Sequence, residues 1–282
     1  MGISVKPEPD QFKGKIAVVT GAGSGIGRST AILLGKLGAR VYAADLNGAA
    51  AIETAGTINS NGGEASGHTL DVTDAEAVAT FAQEVFAEAG RVDILHNNAG
   101  IGHAGPLVDT PLEDWRKVLE VNVFGVINGL DAFVPKMVEQ GGGGHIVNTA
   151  SMAGLTASAG MAPYCTSKFG VVGMSLALDA ELKSKGIRVT ALCPGVIDTA
   201  IVEQSTMRGA IEGKHDKLTG FYKKRGASPD IVARDAVTAI LRKQVIKPSP
   251  WWQVSPGWWL MRVSPRAYTV VAERTFKSII GN

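Results

Sequence analysis

Only two cysteines occur among the 282 residues, which excludes a disulfide scaffold. Cys165 and Cys193 stand apart without metal-ligand spacing, so no zinc or other metal site is expected. Charge of either sign never gathers into blocks. The 28 Lys and Arg nearly balance 26 Asp and Glu, no basic stripe carries interleaved aromatics, and nucleic acid is therefore not an expected partner. No apolar run approaches the roughly 20 residues of a membrane span. Met1 to Asp10 is too polar and Pro-rich for a signal peptide, and Lys6 stands where a myristoylation signal has Ser or Thr. These absences together lead to the expectation of a reducing, cytoplasmic setting.

What the chain does contain is alternation. Short apolar, β-branched runs at Ile16 to Val19, Val41 to Ala44, Gly67 to Leu70, Val92 to Leu95, His145 to Asn148 and Arg188 to Leu192 are separated by longer helical patterns. Such alternation predicts crossover helices and a parallel sheet, and the unbroken apolar character of the runs predicts helices on both faces. The expected fold is an α/β, doubly wound parallel sheet. One main domain is expected over 12–250, with a substrate-loop region at 196–226, and an aromatic segment with an amphipathic C-terminal helix over 251–282.

Six polar or glycine-rich clusters fall at the carboxyl ends of these runs: Thr20-Gly21, Asp45, Asp71, Asn97-Asn98, Ser151 and Pro194-Gly195. In an open doubly wound sheet that edge binds ligands, so the clusters predict one site. Gly21-Ala22-Gly23-Ser24-Gly25-Ile26-Gly27 follows the first run and opens a helix, as a loop cradling a pyrophosphate at a helix N-terminus must. Asp45 ends the second run, where a carboxylate accepts from ribose hydroxyls and repels a 2′-phosphate. With no basic side chain in the loop, where Ser24 stands, this favours NAD over NADP. Asp71, followed by Val72, can take an adenine amino group, although Asp-x-x-Asp before a helix also fits an N-cap.

Tyr164 and Lys168, at i and i+4, share one helix face. An ammonium beside a phenol favours the phenolate, which predicts a Tyr pKa lowered toward working pH. Such a pair is also common on solvated faces. Its interest comes from Ser151, thirteen residues earlier at the end of the fifth run. Another helix starts at Thr110-Pro111-Leu112-Glu113 with the form of a capping box, and Trp115, Leu119, Asn122 and Val126 follow on one face. Asn122 on an apolar face needs a structural partner or an ordered water.

In these residues the chain resembles the short-chain dehydrogenase/reductases with a single Rossmann domain, over roughly residues 12 to 242. Thr20 to Gly27 is similar to the family's cofactor loop, and Asn97-Asn98-Ala99-Gly100 to the turn that supports its central sheet. Asn122, Ser151, Tyr164 and Lys168 match its catalytic tetrad. Pro194-Gly195-Val196-Ile197-Asp198-Thr199 resembles the segment over the nicotinamide, whose Thr contacts the carboxamide. The resemblance implies that Tyr164 exchanges a proton with the substrate oxygen and that Ser151 positions that oxygen. It implies further that Lys168 tunes the Tyr and holds the nicotinamide ribose, and that Asn122 helps a proton-relay water. The implied contacts of NAD include Gly21, Ser24, Gly25, Ile26, Gly27, Asp45, Asp71, Val72, Asn98, Ala99, Gly100, Pro194, Gly195, Ile197 and Thr199, with Tyr164 and Lys168. A homodimer or homotetramer is expected, but where many members end on a strand and a glycine-rich turn, this chain carries Trp251-Trp252, Trp258-Trp259 and a helical tail.

The expected reaction is hydride transfer between NAD(H) and a secondary alcohol or ketone. Ile201, Val202, Met207, Ile211, Leu218, Phe221 and Tyr222 suit either packing of two short helices or a lipophilic substrate pocket. In the tail, Ser264-Pro265 opens a helix whose Tyr268, Val271, Ala272, Thr275 and Ile279 form one stripe. That stripe packs on the core or a second subunit, walls the pocket, or rests on a membrane. Two other classes stay open: a catalytically silent NAD-binding regulator, and a membrane-surface, lipid-modifying reductase.

Overall fold

A computed structural model gives the fold and describes residue 8 and residues 10–280, without the side chains of His215, Phe276 and residues 278–280. The expectations on Lys6 and on the side chain of Ile279 lie outside the described residues. The central strands are β1 (Ile16–Thr20), β2 (Arg40–Asp45), β3 (Glu64–Thr69), β4 (Ile94–Asn97), β6 (Gly144–Thr149), β7 (Ile187–Pro194) and β9 (Ile246–Ser249), with β5 (His103–Ala104) and β8 (Thr206–Met207) forming a separate ribbon. All pairs are parallel, and the main sheet runs β3-β2-β1-β4-β6-β7-β9, the doubly wound order expected.

Within β1, Ile16 and Val18 pack into one core layer while Ala17 and Val19 pack into the other. Both sides of the pleat are thus covered, which is why the strand reads as continuous apolar sequence. On the first face lie α3 (Ala75–Ala89), α5 (Gly125–Glu139) and α6 (Ala162–Leu182), contributing Phe81, Phe133 and Val171. On the second lie α1 (Gly25–Lys36), α2 (Gly48–Ser60) and α8 (Pro229–Arg242), contributing Leu34, Ile58 and Val237. The remaining helices are α4 (Leu112–Leu119), α7 (His215–Arg225), α9 (Trp251–Val263) and α10 (Pro265–Ile280).

Several boundaries depart from the sequence expectation, each for a local reason. β4 begins at Ile94, because the backbone N–H and C=O of Val92 are taken by the Gln140 side chain at 3.0 and 2.7 Å and not by a strand. β3 begins three residues earlier than Gly67, on an edge whose polar, half-exposed residues carry no apolar signal. The seventh strand, β9, was not expected. It contains Lys247 and Pro248, and a Pro is tolerated there because β9 is an edge strand with β7 as its one sheet neighbour. The chain therefore does end its sheet on a strand before the tryptophan segment begins.

The capping box at Thr110 does not form. The Thr110 hydroxyl donates to the Pro106 carbonyl at 2.8 Å, and Pro111 occupies the N-cap of α4 without a side-chain bond. From there a continuous helix runs through α4, a wide π turn at Glu120–Phe124 and α5. This stretch, Leu112–Glu139, is long and apolar enough to cross a membrane, contrary to the reading of the linear sequence. One side of it packs against the sheet, where Val126, Leu130, Phe133 and Met137 are buried, while Leu112, Phe124 and Ile127 stay exposed.

Candidate active site

The carboxyl edge of the sheet opens into one cavity of about 1190 Å³. Of the catalytic and NAD-contacting residues expected from the sequence, all line it except Gly27 and Asn122; Thr20, Ala22, Asn97 and Asp198 from the same segments do not. From the six strand-end clusters, Gly21, Asp45, Asp71, Asn98, Ser151, Pro194 and Gly195 thus border one cavity.

At one end the glycine loop is shaped by its neighbours. Gly21 holds φ +63°, and a Cβ there would press on Ala99 Cα and Asn98 Nδ2 at 2.9 Å. A Cβ on Gly27 would collide with the Gly21 carbonyl, so the helix can approach the loop this closely only with glycine. Asn98 knits the two segments together: its Nδ2 donates to the Thr20 and Gly21 carbonyls at 3.0 and 3.2 Å. Its backbone N–H and that of Ala99 donate to Thr20 Oγ1. Thr149 Oγ1 donates to Asn98 Oδ1 at 3.2 Å and lies 2.9 Å from His96 Nε2. Burial drives the His96 pKa down to about 3, so the ring is neutral, and the Thr149 hydroxyl accepts from its Nε2–H.

Ser24 is the N-cap of α1 and makes no side-chain cap bond, so among the described residues its side chain leaves the first-turn N–H groups open where Gly25 and Ile26 line the cavity. That is the arrangement a phosphate requires. Asp45 accepts from Gly23 N–H at 2.8 Å through Oδ2 and from Asn47 N–H at 2.9 Å through Oδ1, fixing its carboxylate in the wall. The N-cap reading of Asp71 goes to Asp74 instead, which accepts from Ala77 N–H and caps α3. Asp71 accepts from the Thr73 N–H and hydroxyl, and remains on the cavity.

At the sheet centre stand Ser151, Tyr164 and Lys168. Ser151 follows β6 and accepts from Ala153 N–H at 3.1 Å. Tyr164 lies in the first turn of α6 with Pro163 among the initial helical positions, and Lys168 follows one turn later, its Nζ 5.7 Å from the Tyr164 ring centroid. The ammonium donates to the Thr149 carbonyl at 2.9 Å. In the protein alone the expected lowering of the Tyr pKa is absent. Burial pushes the phenol up to about 12, against an opposing hydrogen bond from Ser151, and pushes Lys168 down to about 8. Both charged forms lose water here, and the amine is turned to a carbonyl, so desolvation outweighs the attraction.

Asn122 sits in the π turn with its amide fully engaged. Oδ1 accepts from Ile101 N–H at 2.8 Å, while Nδ2 donates to Ile101 O at 2.9 Å and Ser167 Oγ at 3.1 Å. Of the two partners the sequence left open for its side chain, the structure supplies the protein one. A Cβ on Gly100 would come within 3.1 Å of Asn122 Oδ1 and 3.4 Å of Lys168 Nζ, so Gly100 brings these groups together.

The Pro194 to Thr199 segment arches over the loop, with Thr199 within 3.0 Å of where a Gly25 Cβ would stand. Gly195 N–H donates to Ser249 O, and Val196 N–H donates to Gln253 Oε1 at 2.9 Å. Gln253 of α9 was not found from sequence, and Tyr268 of α10, which lines the cavity, was named there only as part of the tail stripe. Both come from the tail, and neither belongs to a motif. All seven apolar residues named between 201 and 222 line the cavity, and several also pack against one another.

A family model described as short chain dehydrogenase matches residues 15–208. The chain belongs to the short-chain dehydrogenase/reductase family. Among curated relatives of this dehydrogenase family, a protein named "Probable oxidoreductase EphD" from Mycobacterium tuberculosis (strain ATCC 25618 / H37Rv) is 44% identical over 84% of the chain and 41% of its own length. The chain thus spans about two fifths of that relative. The 1-deoxy-11-beta-hydroxypentalenate dehydrogenase of Streptomyces exfoliatus is 40% identical over 70% of the chain and 72% of its own length. Among solved structures, a short-chain dehydrogenase/reductase from Burkholderia phymatum in complex with NAD has a TM-score of 0.81 and 31% identity, covering 87% of this chain and 92% of that one. That family is one of oxidoreductases whose members bind a nicotinamide cofactor.

Proposed function

We propose that the chain is an oxidoreductase that uses NAD(H) to interconvert a lipophilic secondary alcohol and its ketone. The observation that carries the reading is the single cavity in which Tyr164 and Ser151 stand between the Asp45 end and an apolar wall. The bare glycine cradle, the α1 N-terminus and the fixed Asp45 carboxylate fit a dinucleotide. Bound there, the nicotinamide supplies the acceptor or donor of hydride. In oxidation, Ser151 Oγ holds the substrate hydroxyl and Tyr164 Oη takes its proton as the carbonyl forms; in reduction the same proton returns to oxygen. Lys168 keeps a positive charge near the developing phenolate and holds the ribose. Asn122 positions the Ile101 backbone beside Lys168, and its part in a water relay is included in the proposal.

NAD is preferred because no Lys or Arg among the described residues lines the Asp45 end, and nearby Arg28 is tied to Glu53 at 2.7 Å. Titration calorimetry should show NAD(H) binding at least about tenfold tighter than NADP(H), a difference of about 1.4 kcal/mol. Comparable affinities would remove this part of the reading.

The substrate class rests on the apolar wall, which α10 completes with Tyr268, Val271, Ala272 and Thr275. A bulky hydrophobic secondary alcohol should outperform a small polar one, and removal of residues 264–282 should impair the bulky substrate more. Best turnover of sugars or small hydroxy acids, or an equal loss on all substrates, would make the tail purely structural.

A second reading, peripheral membrane contact, is favoured by Trp251, Trp252 and Trp259, each more than half exposed, with Arg262 over the Trp258 ring of the same helix. Sedimentation with liposomes tests it. A homo-oligomer is supported by the exposed Phe124, Ile127, Phe169 and Leu176 on neighbouring helices.

A further inference from the structure

The helix pair at the end of the chain turns an apolar stripe away from the core. In α9, Trp252, Pro256, Trp259 and Val263 recur at helical spacing and form one face, yet Trp252 is 61% exposed, Trp259 58% and Val263 81%. Val254, on the other side of the helix, is fully buried. A helix that serves only its own core turns such a stripe inward, so this one is left for something outside the described fold. α10 is sorted differently. Tyr268, Val271, Ala272 and Thr275 line the cavity, while Arg266, Val270, Glu273, Arg274 and Lys277 occupy the opposite face. The helices join at Ser264 and meet by their inner sides, where a Cβ on Gly257 would stand 3.7 Å from the Tyr268 ring. The tryptophan stripe and the basic face therefore both look outward, and around the junction Trp259, Arg262, Val263, Arg266 and Val270 are all exposed. Charge on the pair is one-sided. Arg262, Arg266, Arg274 and Lys277 stand against Glu273 alone among the described carboxylates of these helices, and Lys277 already holds Glu273 at 2.6 Å. The whole chain has a net charge of only +2, so its positive surplus is concentrated here.

We propose that this outward surface of α9 and α10 docks on an anionic lipid bilayer, with the tryptophan stripe among the acyl chains and the arginines at the headgroups. This rests on the reading of peripheral membrane contact and adds the charge of the lipid and the face that meets it. Both parts of the surface are needed. An apolar stripe alone would suit a second copy of the chain, and a basic face alone would suit any polyanion. Together on one helix pair they match the layered chemistry of a membrane interface, apolar below and anionic above. Val271 is half-exposed while lining the cavity, which places a rim of the cavity on the docking helix itself. A lipophilic alcohol dissolved in the bilayer then reaches the cavity past that rim.

The test is sedimentation of the full chain with vesicles of phosphatidylcholine alone and of phosphatidylcholine mixed with phosphatidylserine. Binding to the anionic vesicles should be at least about tenfold tighter, because each basic residue near such a surface contributes about fivefold, and it should weaken as salt rises. Arg266→Gln combined with Arg274→Gln should reduce that preference by about tenfold or more and leave binding to the neutral vesicles as it was. Trp252→Ser combined with Trp259→Ser should lower binding to both kinds. Brominated acyl chains should quench the tryptophan emission of the unaltered protein more than that of this variant. All four side chains are exposed, so both variants should melt as the unaltered protein does. Equal binding to the two vesicles, or a preference that the arginine variant keeps, overturns the anionic lipid and leaves membrane contact standing. Binding that the tryptophan variant does not change overturns the docking face. Binding to neither vesicle overturns the membrane reading and the proposal with it, and a dimer that the tryptophan variant splits would then assign the stripe to a second copy.

Discussion

Tyr164→Phe is expected to lower kcat by about a thousandfold, within the range that positioned acid–base groups contribute, while changing the dissociation constant of NAD by less than about twofold. The ring stays in place in the first turn of α6, so only the hydroxyl is removed. In the protein alone that hydroxyl is held neutral, with a pKa of about 12. Its neighbour Lys168 gives up its proton first, near 8. A neutral phenol beside a neutral amine and a phenolate beside an ammonium contain the same number of protons. One deprotonation of the pair therefore populates both, and the substrate draws on the second. Alcohol oxidation should then rise with pH through a single apparent ionisation close to 8, moving lower when a cationic nicotinamide favours the phenolate. Stopped-flow single turnovers would separate chemistry from product release. Substantial oxidation by the Phe variant would assign the acid–base role to another group, and a flat profile with chemistry limiting would remove the coupled pair.

Lys168→Met should abolish turnover and at the same time stabilise the cofactor-free protein. The amine is buried, and its pKa falls from 10.5 to about 8 on folding. Between these values the unfolded chain binds the proton and the folded chain does not, so stability rises with pH through that window. Below it both states are charged, and the buried ammonium costs about 3 kcal/mol at neutral pH. Losing the bond to the Thr149 carbonyl offsets about 1 kcal/mol. A net gain of about 2 kcal/mol corresponds to a Tm higher by roughly 5 °C at pH 7 for a chain of this size. The alkaline rise should vanish from the variant. The phenol works in the opposite sense: its raised pKa favours folding below pH 10, and that contribution is lost as pH rises toward 12. A variant less stable at pH 7, or one that keeps the rise between 8 and 10.5, would contradict this account.

The parts of the molecule legible in sequence are those where local chemistry and global position coincide. Val18, Val41 and Ile146 are apolar because both sheet faces are covered, and the glycines at 21 and 27 stand where no Cβ fits. Asp45, Ser151, Tyr164 and Lys168 follow from strand ends and helix spacing. β9 escaped because its residues are those of an edge, with Lys247 and Pro248 in a strand of four. The π turn escaped because neither Pro nor Gly lies within Glu120–Phe124, and its cause is tertiary: Asn122 turned inward onto Ile101 and Ser167. The pair of protonation states escaped for a related reason. Charge proximity can be read from i and i+4 spacing, whereas the desolvation that overrides it depends on what the rest of the chain packs around the site. Tyr268 reaches the cavity from far along the chain, signalled only by the stripe of its helix, and Gln253 holds the Val196 backbone with no spacing to announce it.

The wide turn in the long helix fixes a phase. Downstream, Val126, Gly129, Leu130 and Phe133 face the sheet. Upstream, Asp114 accepts from Arg208 and lies 3.1 Å from His103 Nε2, tying the helix to the segment that roofs the cavity. A π turn contains one residue more than an α turn, and one residue is worth about 100° of rotation. Deleting Val121 would let the helix run straight, keep the sheet-facing side as it is, and swing Asp114 away from both partners. The number of residues between Asp114 and Val126 is therefore constrained independently of their identity, and a single-codon deletion there should be felt in the roof of the cavity before it is felt in the core.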